Sequence, residues 1–231
     1  MTLRLVGITS SPRHANTEWL VKEALTAAQS SPVPVDVELI SFAGKRIEPC
    51  TDCQVCFTQK RACIKQDDWA SLVAKIADPV PDGILIASPV YFFDVNAQLR
   101  AFFERCTSLL KGMWIEDHPT TPPDFSRTAA AAMSIGYHRH GGVEHAMSTI
   151  LNWFLVMGCV CTGSDYIGGG AWQLETNEVD AVKNDNMGLR NARVTGRHLA
   201  YLAYLLSPER GVNAAEEQSM LEFRKQELAM T

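Results

Sequence analysis

A short apolar strand that empties into a hydroxyl-rich loop and then a helix constrains this chain more than any other stretch. Leu3, Leu5, Val6 and Ile8 form a run with no polar face, as in a parallel-sheet strand covered by helices on both sides. Thr9-Ser10-Ser11-Pro12-Arg13-His14-Ala15-Asn16-Thr17 follows, rich in hydroxyls and broken by proline. From Glu18 onward Leu20, Val21, Ala24, Leu25 and Ala28 recur at helical spacing, and Asn16 or Thr17 is the expected cap. Such a unit offers an anion the unpaired first-turn N–H groups, hydroxyl donors and the Arg13 charge. The loop has neither the glycine fingerprint of dinucleotide folds nor the Gly-Lys-Ser/Thr of nucleotide triphosphatases. A single phosphomonoester is therefore the expected ligand. The plain alternative is an ordinary capped helix.

The rest of the chain repeats the alternation. Val35, Val37, Leu39 and Ile40 make a second strand, and Asp67 or Asp68 caps a helix through Leu72, Val73 and Ile76 that ends near Asp78-Pro79. Gly83 to Ser88 is another buried strand, and Ala97 to Leu109 a helix ending near Gly112. Ala129 to Ile135 is a strand of small residues, Gly142 to Met157 a helix and Val160 to Thr162 a last short strand. Asn184 to Leu206 and Ala214 to Ala229 are terminal helices, and the stretch 171–192 matches no pattern. This order predicts an α/β fold, a doubly wound five-stranded parallel sheet with helices on both faces. Ligands in such sheets bind at the carboxyl ends of the strands, where three polar loops fall.

Size and charge narrow the function. At 231 residues and 46% hydrophobic, the chain can bury one substantial core. The expected organisation is a domain over residues 1–206 with a cysteine-rich insertion at 50–63, then a helical extension over 207–231. A net charge of -5 argues against nucleic acid and anionic lipid as partners. The N-terminus opens on strand-like sequence without a signal-peptide pattern, and no apolar run is long enough to span a bilayer, so the expected location is the cytoplasm. In a reducing compartment clustered thiols are metal ligands or redox groups more often than disulfides.

Four of the seven cysteines are clustered: Cys50, Cys53, Cys56 and Cys63, spaced C-x2-C-x2-C-x6-C. Two successive x2 spacings wrap three thiolates around one centre, and a fourth closes it from a loop. A [4Fe–4S] cluster needs such a set, and zinc can use one too. The compact run leans toward the cluster, because zinc sites more often pair two C-x2-C halves across a longer gap. A structural or oligomer-forming loop is the third reading. Lys60 and Arg61 lie inside the segment, where they would lower thiol pKa values. Cys106, Cys159 and Cys161 read as core residues, Trp153 as packed, and His145 and His198 as helix-surface residues.

Three stretches resemble a known family. Gly7 to Thr17 is similar to the Gly-Ser-Pro-Arg…Asn-Thr loop of flavodoxin-like NAD(P)H-dependent FMN reductases. Ser88-Pro89-Val90-Tyr91-Phe92 with the helix from Gln98 to Arg105, and Ile135 to Gly142, resemble that family's second and third loops. The first loop is a residue shorter than the usual pattern, and Ser10 stands where glycine is common. The resemblance implies a flavodoxin-like fold with FMN at the carboxyl edge of the sheet. It assigns Ser10, Ser11, Arg13, Asn16 and Thr17 to the phosphate, and Pro89, Val90, Tyr91 and Phe92 to the ribityl chain and ring. Gly136, Tyr137, Gly141 and Gly142 fall to the isoalloxazine edge, and His140 is a candidate ring contact or proton donor. The glycines permit close backbone approach, with their N–H groups free to tune the ring. The cysteine spacing, with Asp67-Asp68 after it, resembles the iron–sulfur flavoprotein branch of the family.

The expected function is thus an FMN-dependent oxidoreductase with a [4Fe–4S] cluster beside the flavin. Its donor is NAD(P)H or a reduced protein such as ferredoxin, and its acceptor a small molecule or a redox protein. The family implies a homodimer or homotetramer. The competing readings are a flavodoxin-like electron carrier without a small-molecule substrate, and an FMN or quinone reductase lacking the cluster.

Overall fold

The computed structural model describes residues 1–119, 121–137, 140–163, 169–170, 179–210 and 213–226. In chain order the elements are β1 (Leu3–Thr9), α1 (Asn16–Gln29), β2 (Val35–Ser41), α2 (Val55–Thr58), α3 (Trp69–Ala77), β3 (Gly83–Tyr91), β4 (Asp94–Val95), α4 (Ala97–Cys106), α5 (Lys111–Trp114), β5 (Ala129–Gly136), α6 (Val143–Met157), β6 (Val160–Thr162), β7 (Gly169–Gly170), α7 (Asn186–Leu206) and α8 (Ala214–Lys225). The sheet runs β2-β1-β3-β5-β6, all parallel. Counting those five strands alone, this is the flavodoxin order, which reverses direction between β1 and β3. Two two-residue strands complete the sheet, β4 antiparallel to β3 and β7 beside β5.

Strand alternation sorts the core into two layers. Val6, Ile8, Ile84, Ile86, Ala130 and Ala132 face α3, α4 and α6. Leu5, Leu85, Ala87, Ala129, Ala131 and Met133 face α1, α7 and α8. With both faces covered, the central strands β3 and β5 carry no polar stripe, which is why Gly83 to Ala87 and Ala129 to Met133 read as unbroken apolar runs. Trp153 stacks on Phe103 with centroids 4.9 Å apart, and Cys106 and Cys159 are buried, as their spacing implies. The first and seventh helices meet at Gly196, where a Cβ would lie 1.9 Å from the Ala24 carbonyl oxygen. Among the described residues no helix is long and apolar enough to cross a membrane.

Two local expectations are corrected. The first helix is capped by Ala15 with no side-chain cap bond, because Asn16 Oδ1 accepts from Val182 N at 3.0 Å and is spent on the loop before α7. His198 is buried, not on the surface: it packs inward and its Nδ1 bonds the Gly163 carbonyl. Its neighbours on α7, Leu199 and Ala200, belong to the same buried face. The stretch 171–178 and the motif residues His138 and Arg139 lie outside the described residues.

Candidate functional site

One polar network ties together the carboxyl ends of three neighbouring strands. Ser10 N donates to the Ala87 carbonyl at 3.0 Å, and Asn96 Nδ2 to the Ser10 carbonyl at 2.6 Å. Asn96 N donates to Ser88 Oγ at 3.2 Å, and Ser134 Oγ to the Ser88 carbonyl at 3.1 Å. All four residues are buried. Beside them Thr9 Oγ1 and Ser10 Oγ are buried with no hydrogen-bond partner among the described residues. An unmade bond on a buried hydroxyl costs about 1–3 kcal/mol, so these two groups mark an incomplete site.

The loop into α1 is braced from within. Ser11 Oγ donates to the Arg13 carbonyl at 2.8 Å and accepts from Arg13 N at 3.2 Å. Glu18, buried in the first turn, accepts from His14 at 2.7 Å, Lys22 at 2.6 Å and Ser41 at 3.0 Å. Burial works against the Glu18 carboxylate, but Lys22, His14 and Ser41 outweigh it and hold its pKa below the ordinary range. Thr17 is buried and Arg13 exposed. Of the five residues expected at a phosphate, Ser11 and Asn16 therefore shape the loop. Ser10, with its unpartnered hydroxyl, and the exposed Arg13 remain as direct candidates.

The second loop is strained. Phe92 and Phe93 have φ of 49° and 68°, left-handed values that a bulky side chain rarely adopts. Phe92 is 100% exposed, and Tyr91, Phe93 and Tyr137 are also uncovered. Pro89 and Val90 are half-buried, Gly136 is buried at the end of β5, and His140 is exposed with Nδ1 3.3 Å from Glu144. Asp94 closes the hairpin, accepting from Val95 N and Thr149 Oγ1, each at 2.7 Å. A Cβ on Gly142, whose φ is +96°, would lie 2.5 Å from Phe93 Cα. The close approach that the glycine pair allows is thus made by the Phe93 backbone. Phe93 itself goes unassigned by sequence; the doubled phenylalanine before Asp94 is the signal for it.

The second site lies toward the far end of α4. Cys50, Cys53, Cys56 and Cys63 line one cavity of about 300 Å³, with Lys65, Glu104, Arg105, Ser108 and Lys111. Asp52 and Gln54, at φ of 48° and 59°, turn the chain twice between the first three cysteines. Asp52 N donates to Cys50 Sγ at 3.4 Å and Cys50 N to Glu104 Oε2 at 3.3 Å. Burial pushes the Cys56 thiol pKa up; Lys111 opposes the rise, and Cys63, Cys50 and Cys53 add to it. The four sulfurs share one field. Among the described residues no three His, Cys, Asp or Glu side chains converge on a point fit for a single metal ion. Lys60, expected to act on the thiols, instead donates to the Glu116 carbonyl at 2.8 Å. Cys106 and Cys159 differ: burial raises both, Cys159 to about 12, which keeps them inert.

A buried ion pair clamps both ends of the cysteine segment. The Arg105 and Asp67 side chains are in direct contact and 1% and 0% exposed. Asp67 accepts from Glu48 N at 2.8 Å and Trp69 N at 3.1 Å, while Arg105 donates to the carbonyls of Glu48 at 3.5 Å and Lys65 at 3.4 Å. The guanidinium lies 4.8 Å from the Trp69 ring centroid. Arg105 follows Ala101 and Phe102 at helical spacing, on the apolar face of α4, which is the signal that marks it as buried.

Comparison with known proteins follows the same lines. Residues 3–173 match a family described as NADPH-dependent FMN reductase. An iron–sulfur flavoprotein of Methanocaldococcus jannaschii is 31% identical over 210 residues, covering 88% of this chain and 99% of that one. One from Archaeoglobus fulgidus is 32% identical over 201 residues, covering 85% and 95%. Among solved structures, RosB bound to 8-demethyl-8-formylriboflavin-5′-phosphate aligns with a TM-score of 0.64 at 15% identity, covering 100% of this chain and 90% of that one. A flavone reductase aligns at 0.63 and 19% identity, covering 87% of this chain and 63% of its own length.

Proposed function

Because the chain belongs to the NADPH-dependent FMN reductase family, we propose that it is an FMN-dependent oxidoreductase with a [4Fe–4S] cluster on Cys50, Cys53, Cys56 and Cys63. Electrons pass from NAD(P)H or a reduced protein such as ferredoxin to a small-molecule or protein acceptor. The observation that carries this reading is the pair of incomplete sites on one helix. The α4 helix follows its N-cap Asn96, inside the strand-end network, and reaches the four-thiol cavity at Arg105. At about 1.5 Å per residue the two are separated by about 14 Å along its axis.

The residues fit FMN. The unpartnered Ser10 and Thr9 hydroxyls and the uncapped first turn of α1 supply donors for one terminal phosphate, and Arg13 adds charge. Ser11 and Asn16 hold that loop in shape, and Thr17 is buried behind it. Pro89, Val90, Tyr91 and Phe92 offer an apolar, aromatic strip for the ribityl chain and ring. Gly136, Tyr137, His140, Gly141 and Gly142 border it, with Gly142 fixing the hairpin that presents the phenylalanines. When bound, FMN supplies hydride and electron transfer and the cluster one-electron transfer. This chain's part is to place the two, exclude water, and set the charge around each.

The thiol set fits a cluster better than zinc. Structural zinc needs four ligands about 2.3 Å from one point, whereas these sulfurs surround a cavity among three cations. The names of the relatives support the same choice. A homodimer or homotetramer belongs to this reading, with the uncovered Tyr91, Phe92 and Phe93 as surface to be closed. A reducing cytoplasm is the compartment it requires.

The test is a spectrum of protein purified without oxygen, with FMN, iron and sulfide assayed on the same sample. Flavin bands over a broad cluster shoulder, with about four iron and four sulfide per chain, is the expected result. Flavin without iron leaves an FMN or quinone reductase; no flavin after adding FMN overturns the proposal.

A further inference from the structure

The Arg105 guanidinium is fully buried, lines the four-thiol cavity, and has one N–H, that of Nε, with no acceptor among the described residues. A buried cation is costly unless paired, and one salt partner does not use all five of its donors. Its partner Asp67 is spoken for three times over, by Arg105 and by the amides of Glu48 and Trp69. The Asp67 carboxylate in direct contact with it keeps the guanidinium charged despite its burial. The other cations on the cavity have different settings. Lys65 is 3.2 Å from Glu48, and Lys111 lies 5.5 Å from the Phe57 ring centroid.

We propose that Arg105 is a positioning residue of the cysteine site: locked by Asp67, it holds fixed positive charge and an unshared N–H on the wall of the four-thiol cavity and thereby makes the site easier to reduce. The inference rests on the reading that the four cysteines hold a [4Fe–4S] cluster. No bond forms or breaks in the step concerned. One electron enters the thiolate-ligated centre, supplied by the donor in turnover or by dithionite in the test, and its net negative charge grows by one. A cation and a hydrogen bond to sulfur both stabilise the more negative state, so they raise the potential. Asp67 works in the opposite sense, and the two charges are separable.

The experiment compares wild type, Asp67→Asn and the double variant Arg105→Gln/Asp67→Asn, each reconstituted without oxygen with ferrous iron and sulfide. The double variant avoids stranding a buried carboxylate, and FMN content and far-ultraviolet dichroism check the fold. Reduction is titrated with dithionite through mediator dyes and read by the paramagnetic resonance of the reduced cluster. Asp67→Asn, which leaves Arg105 uncompensated, is expected above wild type. The double variant is expected at least tenfold less reducible than Asp67→Asn, about 59 mV lower for a one-electron couple. A clamp that only braces the loop would not raise the potential in Asp67→Asn and lower it again when Arg105 is removed as well. Full iron and sulfide in all three with equal potentials overturns the role of Arg105 and leaves the cluster standing. No iron and sulfide in reconstituted wild type overturns the cluster reading itself, and the inference with it.

Discussion

The strand-end pocket and the cysteine cavity are held in place by different means. The pocket is assembled from the ends of three strands whose register is set by two layers of core, and its Ser10–Asn96–Ser88–Ser134 bonds are all buried. The cavity is walled largely by a loop whose first three cysteines contribute nothing to either core layer; only Cys63 packs against one. That loop is fastened at Glu48 and Lys65 by one buried ion pair, with the more exposed Lys65–Glu48 pair beside it. Support in the first case is distributed, in the second concentrated. A single substitution should therefore disable the cavity while sparing the pocket, and the reverse should need a substitution at the hairpin.

The largest effect is expected at the clamp. Arg105→Met leaves the Asp67 carboxylate buried and unpaired, a loss of about 3–5 kcal/mol in urea unfolding of the metal-free chain. Proteolysis should then cut first within residues 49–66. An unchanged midpoint would break the contrast between the two regions. The clamp also carries an acid dependence. Burial raises the Asp67 pKa, but Arg105 and the amides of Glu48 and Trp69 outweigh it and hold it below its ordinary value. A depressed carboxylate contributes stability above the unfolded-state value of about 3.9 and loses it as pH falls through the folded value. Wild type should weaken below about pH 4, and Asp67→Asn should remove that part of the slope.

Next comes Gly142→Ala. A Cβ 2.5 Å from Phe93 Cα, on a residue at φ +96°, forces the aromatic hairpin to move, with strain of about 1–3 kcal/mol. FMN retention should fall while iron and sulfide stay at wild-type levels. Equal loss of both would show that the hairpin and the cavity are coupled.

The same contrast governs what could be read from sequence. The central strands were legible because a strand covered on both faces must be apolar throughout, as Leu5 to Ile8 and Gly83 to Ala87 are. The cysteine set was legible from spacing alone. What stayed hidden depended on partners far away in the chain. Asn16 reads as a cap but bonds Val182, 166 residues on. His198 reads as surface until Gly163 meets it, and nothing local to Gly142 foretells the Phe93 backbone packed against it. Arg105 sits in a recognisable helix motif, yet its pairing with Asp67 spans 38 residues and leaves no local periodicity.

Ser10→Ala is expected to act with opposite signs on the free and the FMN-bound chain. Removing a buried hydroxyl that has no partner among the described residues relieves a cost, so the FMN-free chain should gain about 1 kcal/mol. The same change removes a donor to the phosphate and should weaken FMN binding about tenfold, measured by flavin fluorescence quenching. Loss of stability in the FMN-free chain would mean that the hydroxyl already has a partner.

The smallest effect belongs to Arg13, and it separates a contact from a field. The residue is exposed, so its attraction to a phosphate acts through water and is worth less than about 1 kcal/mol. Arg13→Gln should weaken FMN binding about twofold to fivefold at low salt. Because the Debye length shrinks to about 3 Å at 1 M salt, the difference from wild type should vanish there. A salt-independent loss would mean that the loop closes over the phosphate and buries Arg13 against it. The pocket would then share the cavity's dependence on one guanidinium, and distributed support would describe only the FMN-free state.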